Sequence, residues 1–219
     1  TEFARAKLVA GGLPEEQISV KPNFIDPDPG VREGPGDYAL FAGRLTIEKG
    51  VHTLLDAWKR IGPDIPIHIA GDGPLRDALV RRIETENITG VSMLGSLSRE
   101  AMMRELRGAR VLVFPSEWYE GMPMTIIEAF ACGVPTVSAR LGGMREMIDD
   151  GRNGLLVAPG DSEGIATRVR WLFDSESEST KLSRASRAEY EAHYTAAANC
   201  TQLIDIYRQA IERGGHQPA

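Results

Sequence analysis

The sequence is short of several things that would each announce a function. It has only two cysteines, Cys132 and Cys200, far apart and outside any metal-spaced cluster, so a reducing, cytoplasmic setting fits. Cys132 falls in an apolar stretch and reads as a small core residue. The histidines His52, His68, His193 and His216 show no ligand spacing, so no metal is expected. No apolar run approaches the ~18 residues that a transmembrane helix needs. Neither G-x-G-x-x-G nor G-x-x-x-x-G-K-[ST] occurs, which excludes a dinucleotide fingerprint and a P-loop. Basic residues are outnumbered, with a net charge of −6, so nucleic acid is excluded as the main partner. A small anionic ligand remains open, because it needs only a few local cations. There is no signal peptide, no internal repeat and no low-complexity tract. The opening at Thr1, without Met, reads as a processed protein or, by preference, an excised fragment.

What is present is an ordinary globular composition, 42% hydrophobic, with a regular alternation of segments. Short apolar runs at Tyr38–Ala42, Ile65–Ala70, Val91–Leu94, Val111–Phe114, Val134–Ser138 and Leu155–Val157 read as strands. Between them, apolar residues recur at helical spacing, as in Val51, Leu54, Leu55, Trp58 and Ile61. The alternation predicts α/β architecture: a three-layer α/β/α sandwich on a parallel sheet of about six strands. The strands are continuously apolar, as expected when helices cover both faces. Three helices are predicted to close the chain, near Ser162–Phe173, Glu178–His193 and Ala197–Glu212, with DSESES (174–179) as a turn between the first two. In the last helix Leu203, Ile204, Tyr207 and Ile211 form one stripe. Upstream of Tyr38, a short helix, a strand at Ile18–Lys21 and a Pro- and Gly-rich linker, Pro22–Asp37, are predicted. The tail 214–219 is expected to be disordered.

In such a sheet, ligands bind beyond the carboxyl ends of the strands. The turns found there carry glycines that would let backbone approach a ligand. After the first strand comes GRLTIEKG, with Arg44 and Lys49 in reach of the sheet edge; Arg forks onto phosphate oxygens and Lys supplies a point charge. Surface ion pairing explains the same two residues equally simply. AGDGP (70–74) reads first as a strand-to-helix corner. After the fourth strand comes PSEWYEGMPMTIIEAFACGVPTV, where Glu120 and Glu128 are separated by seven residues. Pro123 suits a first helical position, so amide groups and the helix dipole near Met122 would attract phosphate. A fully helical path between the two carboxylates would span about 12 Å. Hydrolytic carboxylate pairs stand roughly 5–9.5 Å apart, which disfavours a glycosidase couple. Two ends of one elongated ligand fit better, yet a capping box at Thr125–Glu128 and a dipole role for Glu120 account for the residues too. Glu117 reads as solvated.

Taken together these stretches resemble the nucleotide-sugar-binding, C-terminal half of retaining GT-B glycosyltransferases, specifically glycosyltransferase family 4. FAGRLTIEKG is similar to that family's Gly-Arg…Glu-Lys-Gly segment. AGDGP and LGSL match its next two turns. PSEWYEGMPMTIIEAFACGVPTV resembles its E-x₇-E signature, and LGGMREMIDDGRNGLLVAPGD its following glycine-rich stretch. The resemblance runs over roughly 18–163, with the motifs in order.

The resemblance implies that Arg44 and Lys49 hold the donor diphosphate, that Glu120 binds hydroxyls of the transferred sugar and that Glu128 binds the ribose. Arg44, Lys49 and Glu120 would be catalytic. Gly43, Gly95, Leu97, Gly121, Met122, Pro123, Met124, Thr125 and Glu128 would contact substrate. Met122 and Pro123 stand where many members carry Phe-Gly, which should reshape the sugar pocket. The reaction implied is retaining hexosyl transfer from a nucleoside diphosphate sugar to an acceptor hydroxyl, without cofactor or metal. The implied organisation is an interdomain segment and linker over 1–36, a Rossmann-like nucleotide-sugar domain over 37–195, and a C-terminal helix and tail over 196–219. The N-terminal acceptor domain is the expected missing partner, and through it the inner membrane face stays open as a peripheral contact. The chain alone is expected to be inactive. A non-catalytic Rossmann-like module and a sugar-nucleotide epimerase on the same architecture stand as alternatives.

Overall fold

The structure, a computed structural model, describes residues 1–214. Six parallel strands form one sheet: β1 (Tyr38–Ala42), β2 (Ile67–Ala70), β3 (Val91–Gly95), β4 (Ala109–Phe114), β5 (Thr136–Ala139) and β6 (Gly154–Val157). Their order is β3-β2-β1-β4-β5-β6. The chain winds outward from β1 to one edge, then returns to β4 and winds to the other. The reversal between β1 and β4 leaves a crevice at their carboxyl ends.

Alternation along β1 shows why both faces had to be covered. Ala39 and Phe41 point into one core with Leu54 and Trp58 of α2 (Val51–Ile61), Leu79 of α3 (Arg76–Thr85) and Val169 of α7 (Ser162–Asp174). Leu40 and Ala42 point into the other. There they meet Leu106 of α4 (Arg99–Gly108), Ile127 and Phe130 of α5 (Met124–Ala131), Met144 of α6 (Met144–Met147) and Tyr190 of α8 (Glu176–His193). Cys132 belongs to this second core, and burial pushes its thiol up to about 12. Among the described residues no helix is long and apolar enough to cross a membrane.

Several expectations need correction. Ile18–Lys21 is not a strand. Side chains of α9 (Ala196–Gly214) satisfy this segment instead: Gln202 donates to the Val20 carbonyl at 3.0 Å and Asn199 to that of Pro22 at 2.7 Å. The Pro-rich stretch that follows is pinned rather than free. Ile25 is buried, and Arg32 donates to the carbonyls of Pro35, Ala109 and Arg110 at 2.8–3.0 Å. DSESES is not a turn, because only Ser175 lies between α7 and α8 and the acidic residues start the next helix, where the dipole favours them. The apolar stripe of α9 is exposed at Ile204, Tyr207 and Ile211. The expectation of disorder over 214–219 lies, but for Gly214, outside the described residues. The short opening helix is present as α1 (Glu2–Ala10).

Trp58 is fully buried and its indole N–H donates to the Ile65 carbonyl at 2.9 Å, tying α2 to the entry of β2. Trp58→Ala is expected to lower stability by about 3–5 kcal/mol, read as a lower urea midpoint with an unchanged slope.

Candidate functional site

The loops after β1 and β4 are packed backbone against backbone. Glu117 N–H donates to the Glu48 carbonyl at 2.9 Å. Gly50 has φ +68°, and a Cβ there would lie 2.0 Å from the Pro115 carbonyl oxygen. Gly50 therefore seats one loop on another, and Gly143 does the same against the Gly121 carbonyl, whereas Gly95 and Gly121 have open space around their Cα.

Across this junction Lys49 and Glu120 meet. Lys49 ends a 3₁₀ turn (Ile47–Lys49), and its Nζ lies 2.5 Å from Glu120 Oε1. Ser116, almost fully buried, donates to the same oxygen at 3.1 Å and shares its proton with the Glu48 carbonyl at 3.0 Å. Lys49 also stands over the Phe114 ring, 5.7 Å from its centroid. Hydrogen bonds to charged groups contribute about 1.5–3 kcal/mol. That is enough to order the pair and little enough for a doubly charged ligand to break it.

Beside the pair, a cleft of about 280 Å³ opens along the carboxyl ends of β1 and β2. Gly43, Arg44, Asp72, Leu97, Thr125 and Glu128 line it, with Ser96 and Met102. Arg44 is exposed and has no ion pair among the described residues. Glu128 projects from α5 with no hydrogen-bond partner among the described residues, and burial raises its carboxyl above the usual range, opposed in part by Arg99. A half-buried acceptor without a donor is a group waiting for one. A larger cleft of about 520 Å³, lined by Val20, Met122, Glu146 and Tyr194 among others, carries none of these cations and lacks Glu128. The smaller cleft is the one that holds Arg44 and Glu128.

The predicted residues thus divide. Gly43, Arg44, Leu97, Thr125 and Glu128 share the cleft, and Lys49 and Glu120 pair next to it. Gly95 uses its carbonyl to accept from Gly71 N–H at 2.8 Å. Met122 turns toward the opening segment, its sulfur accepting from Asn23 N–H at 3.1 Å, so its side chain does not line the cleft. Pro123 is the cap of α5 rather than its first helical residue, and Met124 starts the helix with an exposed side chain. Thr125 lies inside α5 and forms no capping box. Helix therefore covers only part of the path from Glu120 to Glu128, and the 12 Å helical span does not apply. Glu117 is exposed but accepts from Thr53 Oγ1. Asp72, Ser96 and Ser116 lie in turns that the carboxyl-end rule marks but were given no role of their own, and Met102 was missed. Each sits on a turn or helix just past a strand, which was the available signal. Among the described residues no group of three or more His, Cys, Asp or Glu could hold a metal ion.

Residues 25–189 match the family model for glycosyl transferases group 1. Glycogen synthase of Mycobacterium tuberculosis is 31% identical over 191 residues, which is 85% of this chain and 45% of that protein. The O-antigen chain mannosyltransferase C of Escherichia coli is 28% identical over 184 residues, 83% of this chain and 49% of that one. The chain thus spans about half the length of these relatives. Among solved structures, Anabaena HepE in complex with UDP superposes with a TM-score of 0.88 at 20% identity, over 95% of this chain and 62% of that one.

Burial sets a pH signature for Glu128. Its folded-state pKa lies above the ordinary 4.5, so ionising it costs stability as pH rises through the unfolded and then the folded value. Glu128→Gln is therefore expected to gain stability relative to the unsubstituted protein between acidic and neutral pH. Urea unfolding at two pH values checks this; a constant difference would contradict it.

Proposed function

The chain belongs to the glycosyl transferases group 1 family, and we propose that it is the donor-binding half of a retaining, family 4 hexosyltransferase using a nucleoside diphosphate sugar. One observation carries the reading. Arg44 and Glu128 line one cleft at the carboxyl ends of β1 and β2, and Lys49 and Glu120 pair between the loops that follow β1 and β4. The complex of Anabaena HepE with UDP, on the same fold, supports a diphosphate ligand.

In this reading Glu128, unpartnered in the cleft, accepts hydrogen bonds from the ribose hydroxyls. Leu97 and its neighbours frame the base. The diphosphate lies toward Arg44 and Lys49, and the amides at the start of α5 add their partial positive charge. As the glycosidic bond to the diphosphate breaks, negative charge grows on the leaving oxygen. Arg44 and Lys49 stabilise it where a metal ion would otherwise be needed. Glu120, released by Lys49, takes the sugar hydroxyls. Retention follows from same-face attack, with a donor phosphate oxygen accepting the acceptor's proton. The acceptor side comes from an N-terminal domain, so this chain alone binds donor nucleotide weakly and does not turn over.

Calorimetric titration with UDP, GDP and ADP tests the proposal. One nucleotide is expected to bind best. Lys49→Ala and Glu128→Gln should each weaken it about ten- to a hundredfold, as loss of a charge-assisted hydrogen bond implies. No binding at millimolar concentration by this chain or by a two-domain protein would overturn the reading, and transfer by this chain alone would overturn its dependence on a second domain.

A further inference from the structure

Helix α1 has no buried residue, so no apolar face holds it to the domain. Its hold is concentrated at its amino end. Glu146, on α6, accepts from the backbone N–H of Glu2 at 2.7 Å and from that of Phe3. These are amides that a helix leaves unpaired at its start, and the carboxylate also meets the positive end of the dipole. The Phe3 ring lies against that of Tyr119, centroids 5.1 Å apart, and Lys7 Nζ stands 5.1 Å from the Tyr119 centroid.

Both contacts lead to the same three residues. Tyr119 immediately precedes Glu120. On the other side, Gly143 N–H donates to the Glu120 carbonyl at 2.8 Å, and Gly143 packs so closely on Gly121 that a Cβ would lie 1.9 Å from its carbonyl oxygen. Gly143 and Glu146 move as one unit, because α6 is a single turn in which Glu146 N–H donates to the Gly143 carbonyl at 3.1 Å. Residues 119–121 are thus gripped from one flank by α1 and from the other by α6, and Glu146 joins the two grips.

We propose that Glu146 is a positioning residue: by clasping the start of α1 it fixes the loop Tyr119–Gly121 and, through it, the Glu120 carboxylate. It acts through backbone and need not touch the donor. The proposal rests on the reading of Glu120 as the sugar-contacting group. Arg44 and Glu128, which lie on other elements, should not feel its loss.

Two measurements on the whole chain decide it. In hydrogen exchange, Glu146→Ala should speed exchange at α1 and at 119–121 by about tenfold or more, leaving β1 and α2 unchanged. Phe3→Ala should act in the same direction and guards against a fault peculiar to the first variant. Glu146→Gln, which keeps one accepting oxygen, should be intermediate. Calorimetry with UDP and UDP-glucose should show UDP affinity unchanged, and the ratio of UDP-glucose to UDP affinity lowered about tenfold in Glu146→Ala. Unchanged exchange at 119–121, uniform acceleration through the chain, or a parallel loss of both affinities would overturn the proposal. If GDP or ADP binds in place of UDP, that nucleotide and its hexose conjugate replace the pair; if none binds to this chain or to a two-domain protein, the donor-site reading fails separately, and the exchange data still decide whether Glu146 holds the loop.

Discussion

The site turns on one lysine and one glutamate that face each other across the reversal of the sheet. Lys49 arrives from the β1 side and Glu120 from the β4 side, and they close to 2.5 Å. Parallel strands wound outward in both directions leave a crevice there. Two loops can share its mouth only if their backbones touch, which is what Gly50 permits against Pro115. Ser116 and Glu117 then stitch the β4 loop to the Glu48 carbonyl. Once the loops are seated, the two charges neutralise each other in a partly buried place. In the proposed function, a ligand that offers an anion to one and hydroxyl donors to the other separates them.

Glu128 is the counterpart of that pair. It stands half-buried in the cleft without a hydrogen-bond partner among the described residues, and burial raises its pKa. A protein selected for stability alone would place an apolar residue there. Arg99 offsets part of the penalty, but only at a distance. The cleft thus holds a half-buried carboxylate without a hydrogen-bond donor and an exposed cation, Arg44, without a salt bridge, both among the described residues. Such locally unfavourable groups are what a binding site looks like before it is filled.

The architecture was legible because its strands are covered on both faces. Continuous apolar runs such as Val111–Phe114 have no other use in a chain of this composition. The carboxyl-end rule points to the loops and helix that carry Arg44, Lys49, Glu120 and Glu128, and the structure puts Arg44 and Glu128 in one cleft and Lys49 against Glu120. That pairing was not legible. Nothing in the spacing says that Lys49 reaches Glu120, because the two lie 71 residues apart and meet only when β1 and β4 become neighbours. Ile18–Lys21 misled because a β-branched run before Pro22 looks like a strand, whereas amide side chains of α9 take its carbonyls. Pro123 misled by one position: it caps α5 with extended backbone instead of entering it. Ser116 lies in a loop that the carboxyl-end rule marks, but its partners, like those of Glu146, could not be read from spacing. Each acts on the backbone or carboxylate of a neighbour brought close only by the fold.

A crystal structure of this chain with UDP-glucose is the decisive measurement. The Lys49–Glu120 pair is expected to open, with Lys49 on the diphosphate, Glu120 on sugar hydroxyls and Glu128 on the ribose. A nucleotide bound elsewhere, or bound in the cleft with the pair still closed, would contradict that arrangement.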